Sequence, residues 1–109
     1  NWFRKNDQGE FLWPGFGDNM RVLEWIVRRC KGEVESKDTA IGSIPVVEDL
    51  DVRGLELPSE DLATLTEVDV TAWTDELVEV EDYIRSYGDR APAGLLNEVA
   101  RVRAGLTSA

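Results

Sequence analysis

Six of the nine aromatic side chains in this 109-residue chain fall within its first 25 positions, where glycine and proline interrupt them repeatedly. Trp2-Phe3-Arg4-Lys5 and Phe11-Leu12-Trp13 are short aromatic-rich runs joined by Asn6-Asp7-Gln8-Gly9-Glu10, with Gly9 able to take the positive φ of a tight connection. This pattern predicts an N-terminal β-hairpin. Pro14 cannot donate to a ladder and Gly15 loosens the backbone, so the second strand ends there. Gly17, Asp18 and Asn19 then bring helix-start chemistry, after which Met20, Leu23, Ile26, Val27 and Cys30 recur at helical spacing. That stripe is the face expected to be buried, with Cys30 an inert thiol upon it. Arg28, Arg29 and Lys31 suit the negative end of the helix dipole, and Gly32 suits the position after the C-cap.

Beyond Gly32 the composition changes. Residues 1–32 carry six basic and four acidic side chains, a net +2, whereas residues 33–109 carry six and eighteen, a net −12. Glu33 to Thr39 reads as a polar loop, and Ala40-Ile41-Gly42-Ser43-Ile44-Pro45 as an extended segment stopped by proline. Ser59-Glu60-Asp61-Leu62 follows Pro58 and predicts a short helix through Leu65. Trp73, Leu77, Val80 and Ile84, spaced by four, three and four, predict a longer helix over 69–87, with Gly88 after it. A last helix beginning near Pro92 places Leu95, Leu96, Val99 and Val102 inward. The fold class expected is α+β, an N-terminal hairpin followed by several helices, with 1–32 a hairpin–loop–helix unit and 33–109 an acidic, mainly helical region.

Several function classes are excluded at this point. With no histidine and one cysteine, histidine acid–base chemistry, a Ser-His-Asp triad and an ordinary structural zinc site are absent from these residues. The formal charge of −10 disfavours a nucleic-acid or anionic-lipid surface. No apolar run approaches the roughly 18 residues of a membrane span. Asn1 opens straight into Trp2-Phe3 without a signal-peptide pattern, which reads as the cut end of something larger.

The strongest constellation is Trp2, Phe3, Phe11 and Phe16, followed by Asn19. Phe3 and Phe11 can pair across the hairpin, and Phe16 sits between two glycines where the backbone can present its ring. Such rings can sandwich a flat heterocycle, each stacking contact worth about 1–3 kcal/mol with little discrimination between bases. Selectivity then falls to hydrogen bonds from the Asn19 amide and the backbone of Gly17 and Asp18. On the residues alone, an aromatic mini-core covered by the helix is the plainer reading, as buried aromatics usually behave. A phosphate-binding reading of Gly15-Phe16-Gly17 fails, because Met20 stands where a dinucleotide fingerprint needs its third glycine, no Gly-Lys-Ser/Thr is present, and Asp18 would repel an anion. Glu48, Asp49, Asp51, Glu76, Glu79, Glu81 and Asp82 read as solvated faces and loops.

Asn1-Trp2-Phe3-Arg4-Lys5, Gly9, Phe11-Leu12-Trp13-Pro14-Gly15-Phe16-Gly17-Asp18-Asn19 and Arg21-Val22-Leu23-Glu24-Trp25 closely resemble the C-terminal region of GTP-dependent phosphoenolpyruvate carboxykinase. The likeness continues more loosely through Thr39-Ala40-Ile41-Gly42-Ser43-Ile44-Pro45 and Asp49-Leu50-Asp51 to Gly54-Leu55, about half the chain. The resemblance implies part of a larger α/β enzyme that converts oxaloacetate and GTP to phosphoenolpyruvate, GDP and carbon dioxide, using Mn²⁺ and Mg²⁺, as a cytosolic or mitochondrial step of gluconeogenesis; a cytoplasmic monomer is expected here. It further implies that Phe3, Phe11 and Phe16 enclose the guanine with Trp2 beside them, that Gly17 and Asp18 line the base edge, and that Asn19 makes guanine-selective contacts. The family's phosphate loop, reactive cysteine, metal ligands and substrate arginines have no counterpart here, so these residues alone are expected to be inactive. The alternative is a stand-alone acidic interaction module with an aromatic hairpin core.

Overall fold

Asn6 organises the first turn. Its side-chain oxygen accepts from the N–H groups of Gln8 and Glu10 at 3.0 and 2.9 Å, its own N–H donates to the Glu10 carbonyl at 2.9 Å, and Gly9 adopts φ 80°. Lys5 and Phe11 are thereby brought opposite one another in an antiparallel bridge, and the Leu12 N–H donates to the Arg4 carbonyl at 2.9 Å. The N-terminal hairpin is closed by this bridge rather than by two full strands. The reason is local: the Asn1 side chain takes the Phe3 N–H at 2.9 Å and the Asn1 carbonyl takes the Arg4 N–H, curling the first residues into a turn.

The computed structural model describes residues 1–108, an α+β arrangement. After a 3-10 turn at Phe16–Asp18 come α1 (Asn19–Cys30), β1 (Ser36–Thr39), β2 (Gly42–Pro45), α2 (Ser59–Thr66), α3 (Val70–Arg85) and α4 (Ala93–Thr107), with further 3-10 turns at Val47–Asp49 and Gly88–Arg90. β1 and β2 pair as a two-stranded antiparallel sheet across Ala40 and Ile41. The polar segment read as a loop therefore contains a strand. Nothing in Ser36-Lys37-Asp38-Thr39 alternates in hydrophobicity, so no sequence pattern announced it.

α1 has the expected extent but turns a different face inward. Trp25 is buried and Val22 packs beside it, whereas Met20, Leu23, Ile26, Val27 and Cys30 are exposed. One indole outweighs the aliphatic stripe, since a buried tryptophan removes far more apolar area than any of those residues. Arg21 and Arg28 flank the inward face and reach the carbonyls of Asp51 and Asp49 at 2.9 and 3.3 Å, laying their stems along the core. The helix ends in a Schellman arrangement, with Glu33 N–H donating to Arg28 O, Gly32 N–H to Arg29 O, and Gly32 at φ 73°.

The chain divides into two units. The first, Asn1–Lys37 with Ser43–Glu67, is built on Trp13, Trp25, Val34, Leu50 and Leu62, and α2 belongs to it. The second, Asp38–Gly42 with the residues from Val68 onward, is built on Leu77 of α3 and Val99, Val102 and Leu106 of α4. Trp73, Val80 and Ile84 pack against that core at the expected spacing, and Asp69 caps α3 by accepting from the Ala72 N–H at 2.9 Å. In α4, Leu96 is half-buried, while Leu95, expected inward, is exposed; Leu106, a turn beyond Val102, is buried instead.

Candidate functional site

Phe3 and Phe11 meet through the hairpin bridge, their ring centroids 6.2 Å apart and their planes at 68°. Both are exposed, so this edge-to-face contact is not the centre of a core. Lys5, opposite Phe11 in the bridge, carries its Nζ 4.9 Å from the Phe11 centroid. The ammonium gains a cation–π contact there and places positive charge beside the rings. Lys5 was not singled out from the sequence, although its register opposite Phe11 carried the signal.

Phe16 is 91% exposed and, among the described residues, makes no ring contact. Gly15 precedes it at φ 136°, a conformation that disfavours any side chain, and the chain swings there to present the ring outward. Gly17 is exposed in the 3-10 turn, and among the described residues no turn or cap hydrogen bond takes its N–H. Trp2 faces elsewhere, lining an apolar cleft of about 120 Å³ with Trp13, Leu50, Leu62 and Leu65.

The Asp18 side chain is expected to supply helix-start chemistry, and its backbone to line the base edge. Its carboxylate instead meets Arg21 Nε at 3.0 Å, and α1 starts without a side-chain cap. Arg21 draws it toward the protein because the same guanidinium also holds the Asp51 carbonyl. Asp51 in turn bonds Arg53 at 2.6 Å, which holds its carboxyl well below the usual carboxylate range. The Asp18 charge is thus balanced within the protein rather than directed at a ligand.

Asn19 is half-buried at the first turn of α1. Its Oδ1 accepts from the indole Nε1 of buried Trp13 at 2.9 Å, while its Nδ2 has no acceptor among the described residues. Since an indole nitrogen only donates, the oxygen must face Trp13 and the amide nitrogen must face away. The amide read as a base-edge group thus turns its nitrogen outward, with its oxygen held by Trp13. The site as built offers two paired rings, one free ring, a nearby cation, and amide donors at Asn19 Nδ2 and Gly17 N–H.

Residues 1–105 match the family model described as the phosphoenolpyruvate carboxykinase C-terminal P-loop domain. The chain belongs to the GTP-dependent phosphoenolpyruvate carboxykinase family. It is 44% identical over 103 residues to the phosphoenolpyruvate carboxykinase [GTP] of Chlamydia caviae, covering 94% of this chain and 17% of that protein. Identity is 40% over 107 residues to that of Chlamydia pneumoniae, with 97% and 18% covered. It is 38% over 99 residues to that of Paenarthrobacter aurescens, with 91% and 16% covered. The chain spans less than a fifth of the length of these carboxykinases. The match reaches well past the front segment, through both units, so the acidic helices belong to the carboxykinase family too.

Proposed function

We propose that this chain forms the guanine-binding wall of a GTP-dependent phosphoenolpyruvate carboxykinase, an enzyme that converts oxaloacetate and GTP to phosphoenolpyruvate, GDP and carbon dioxide in gluconeogenesis. The observation that supports it most is the pairing of two exposed rings, Phe3 and Phe11, in a segment that also offers the exposed ring of Phe16 and, among the described residues, an amide donor without a partner. Exposed rings held by a bridge are ready to stack on a base without first leaving a core. Asn19 Nδ2 then donates to an acceptor on the base edge, which guanine has at O6 and adenine, carrying an amino group there, does not.

Here these residues bind and orient the base. Among the described residues no group of three or more His, Cys, Asp or Glu side chains is placed to hold a metal ion, so the Mn²⁺ and Mg²⁺ of the family do not fit here and no step is assigned to them. Phosphoryl transfer, decarboxylation and oxaloacetate binding belong to other parts of the enzyme, and these 109 residues alone are inactive. The working protein is read as a cytoplasmic monomer on the resemblance to the family alone. No described helix is long and apolar enough to cross a membrane.

The test is steady-state kinetics on the complete enzyme. Phe3→Ala and Phe16→Ala raise KM for GTP, and Asn19→Ala erodes the preference for GTP over ATP. An unchanged KM for GTP in all three variants contradicts the proposal.

A further inference from the structure

Among the described residues, Trp13 is the side chain that sets which way the Asn19 amide points. It is buried in the core of the first unit, and its indole N–H donates to Asn19 Oδ1 at 2.9 Å. A free asparagine amide is ambidextrous, because rotation about its last torsion exchanges an oxygen acceptor for a nitrogen donor. Bonded to an indole, it is not. Rotation would set the Nδ2 hydrogens against the Nε1 hydrogen and leave a buried donor unpaired, at the cost of the lost bond and of the desolvated group.

We infer that Trp13 is a positioning residue for nucleotide selectivity: by holding Asn19 Oδ1 toward the core it turns the amide nitrogen outward, and so favours a base edge with an acceptor at position 6. An amide released from Trp13 can turn its oxygen outward and accept from the 6-amino group of adenine. The inference rests on the reading of Asn19 as the base-edge residue. Stacking on Phe3, Phe11 and Phe16 adds affinity for either base without choosing between them.

A second tryptophan provides the control. Trp25 is buried in the same core and stands six positions after Asn19 on α1, but its Nε1 has no hydrogen-bond partner among the described residues. Truncating either indole to phenylalanine disturbs the packing of this core. Only at Trp13 does the change also free Asn19.

The experiment measures kcat and KM for GTP and ATP in the complete enzyme and in its Trp13→Phe, Trp25→Phe and Asn19→Ala variants. Trp13→Phe should lower the GTP-to-ATP ratio of kcat/KM about three- to tenfold, the worth of one hydrogen bond, through the two KM values with little change in kcat. Trp25→Phe should leave the ratio unchanged. Trp13→Phe in an Asn19→Ala background should change it no further. A Trp13→Phe enzyme that loses GTP and ATP activity in equal measure, as Trp25→Phe would, overturns the inference. If Asn19→Ala itself leaves the ratio intact, the base-edge reading fails instead, and the two failures are distinguished by that variant. Should Trp13→Phe not fold, ¹⁵N-tryptophan labelling of the enzyme and its Asn19→Ala variant decides, with Trp25 as the equally buried reference: a Trp13 indole proton that exchanges more slowly than that of Trp25 and loses this margin in Asn19→Ala supports the inference, and one unaffected by Asn19→Ala overturns it.

Discussion

Replacing Phe11 with alanine separates a ligand-facing ring from a structural one. Phe11 is 57% exposed, and its contacts are the edge of Phe3 at 6.2 Å and the Lys5 ammonium at 4.9 Å. An aromatic pair contributes about 0.5–1.5 kcal/mol beyond its buried area and an exposed cation–π contact about 0.5–1 kcal/mol. The two contacts together are worth about 1–2.5 kcal/mol, and the ring's partial burial adds only part of the transfer term lost when a fully buried phenylalanine core site is emptied at a cost of about 3–5 kcal/mol. A lost stacking contact is worth about 1–3 kcal/mol, or roughly a 5- to 140-fold rise in KM for GTP at 1.4 kcal/mol per decade. Because stacking does not discriminate, ATP should weaken by the same factor and the GTP-to-ATP ratio should hold. Phe11→Leu sharpens the comparison, since it keeps apolar volume but removes the π face; its stability should stay near that of the parent while GTP binding remains weak. The assay pairs initial-rate kinetics with thermal melting of the complete enzyme. An unchanged KM for GTP together with a melting loss typical of a core residue would refute the reasoning and return the hairpin to the role of an aromatic mini-core.

Three further outcomes follow from the structure. Cys30, on the exposed face of α1, should react with a maleimide in the 109-residue chain without denaturant, and a thiol that labels only after unfolding would put the stripe of Leu23 and Ile26 back inside. Glu81 accepts from Arg85 at 2.6 Å and from Arg103 at 2.9 Å, and the Arg85 and Arg103 hydrogen bonds hold its carboxyl below the usual range. A depressed carboxyl stabilises the fold above its unfolded-state value and ceases to as pH falls through the folded one. Glu81→Gln should thus melt below the parent at neutral pH, the gap closing on acidification, and a gap independent of pH would contradict this. In α4, a Cβ at Gly94 meets open space, so Gly94→Ala should stabilise by up to about 1 kcal/mol. A Cβ at Gly105 would lie 3.1 Å from the Ala40 Cβ, so Gly105→Ala should gain less or nothing, and equal gains in denaturant titrations would refute the crowding.

The helices α3 and α4 were legible because their signals are local and repeated: a regular apolar spacing, a capping Asp69, and Gly88 and Pro92 as punctuation. The first helix shows where such reading ends. Its extent follows from the sequence, but counting aliphatic residues favours the stripe from Met20 to Cys30, whereas the tertiary competition is decided by Trp25 and by the arginines that reach the Asp49 and Asp51 carbonyls. At the candidate site, the encounter of Phe3 with Phe11 was readable from hairpin register, and the turn chemistry of Asn6 and Gly9 sets that register. The division of labour within the Asn19 amide was not, because it depends on where the indole of Trp13 comes to rest after the core has formed. The pairing of Asp18 with Arg21 lies between these cases, three positions apart on a helix and therefore visible, yet in competition with capping.

The central claim is that Phe3, Phe11, Phe16 and Asn19 receive the base of GTP, and a crystal structure of the complete enzyme with GTP bound tests it most directly. The account predicts guanine ring atoms within about 4.5 Å of these aromatic side chains and guanine O6 within hydrogen-bond distance of Asn19 Nδ2, with Asn19 Oδ1 still on Trp13. A base bound elsewhere, with the hairpin rings facing only protein or solvent, would contradict it.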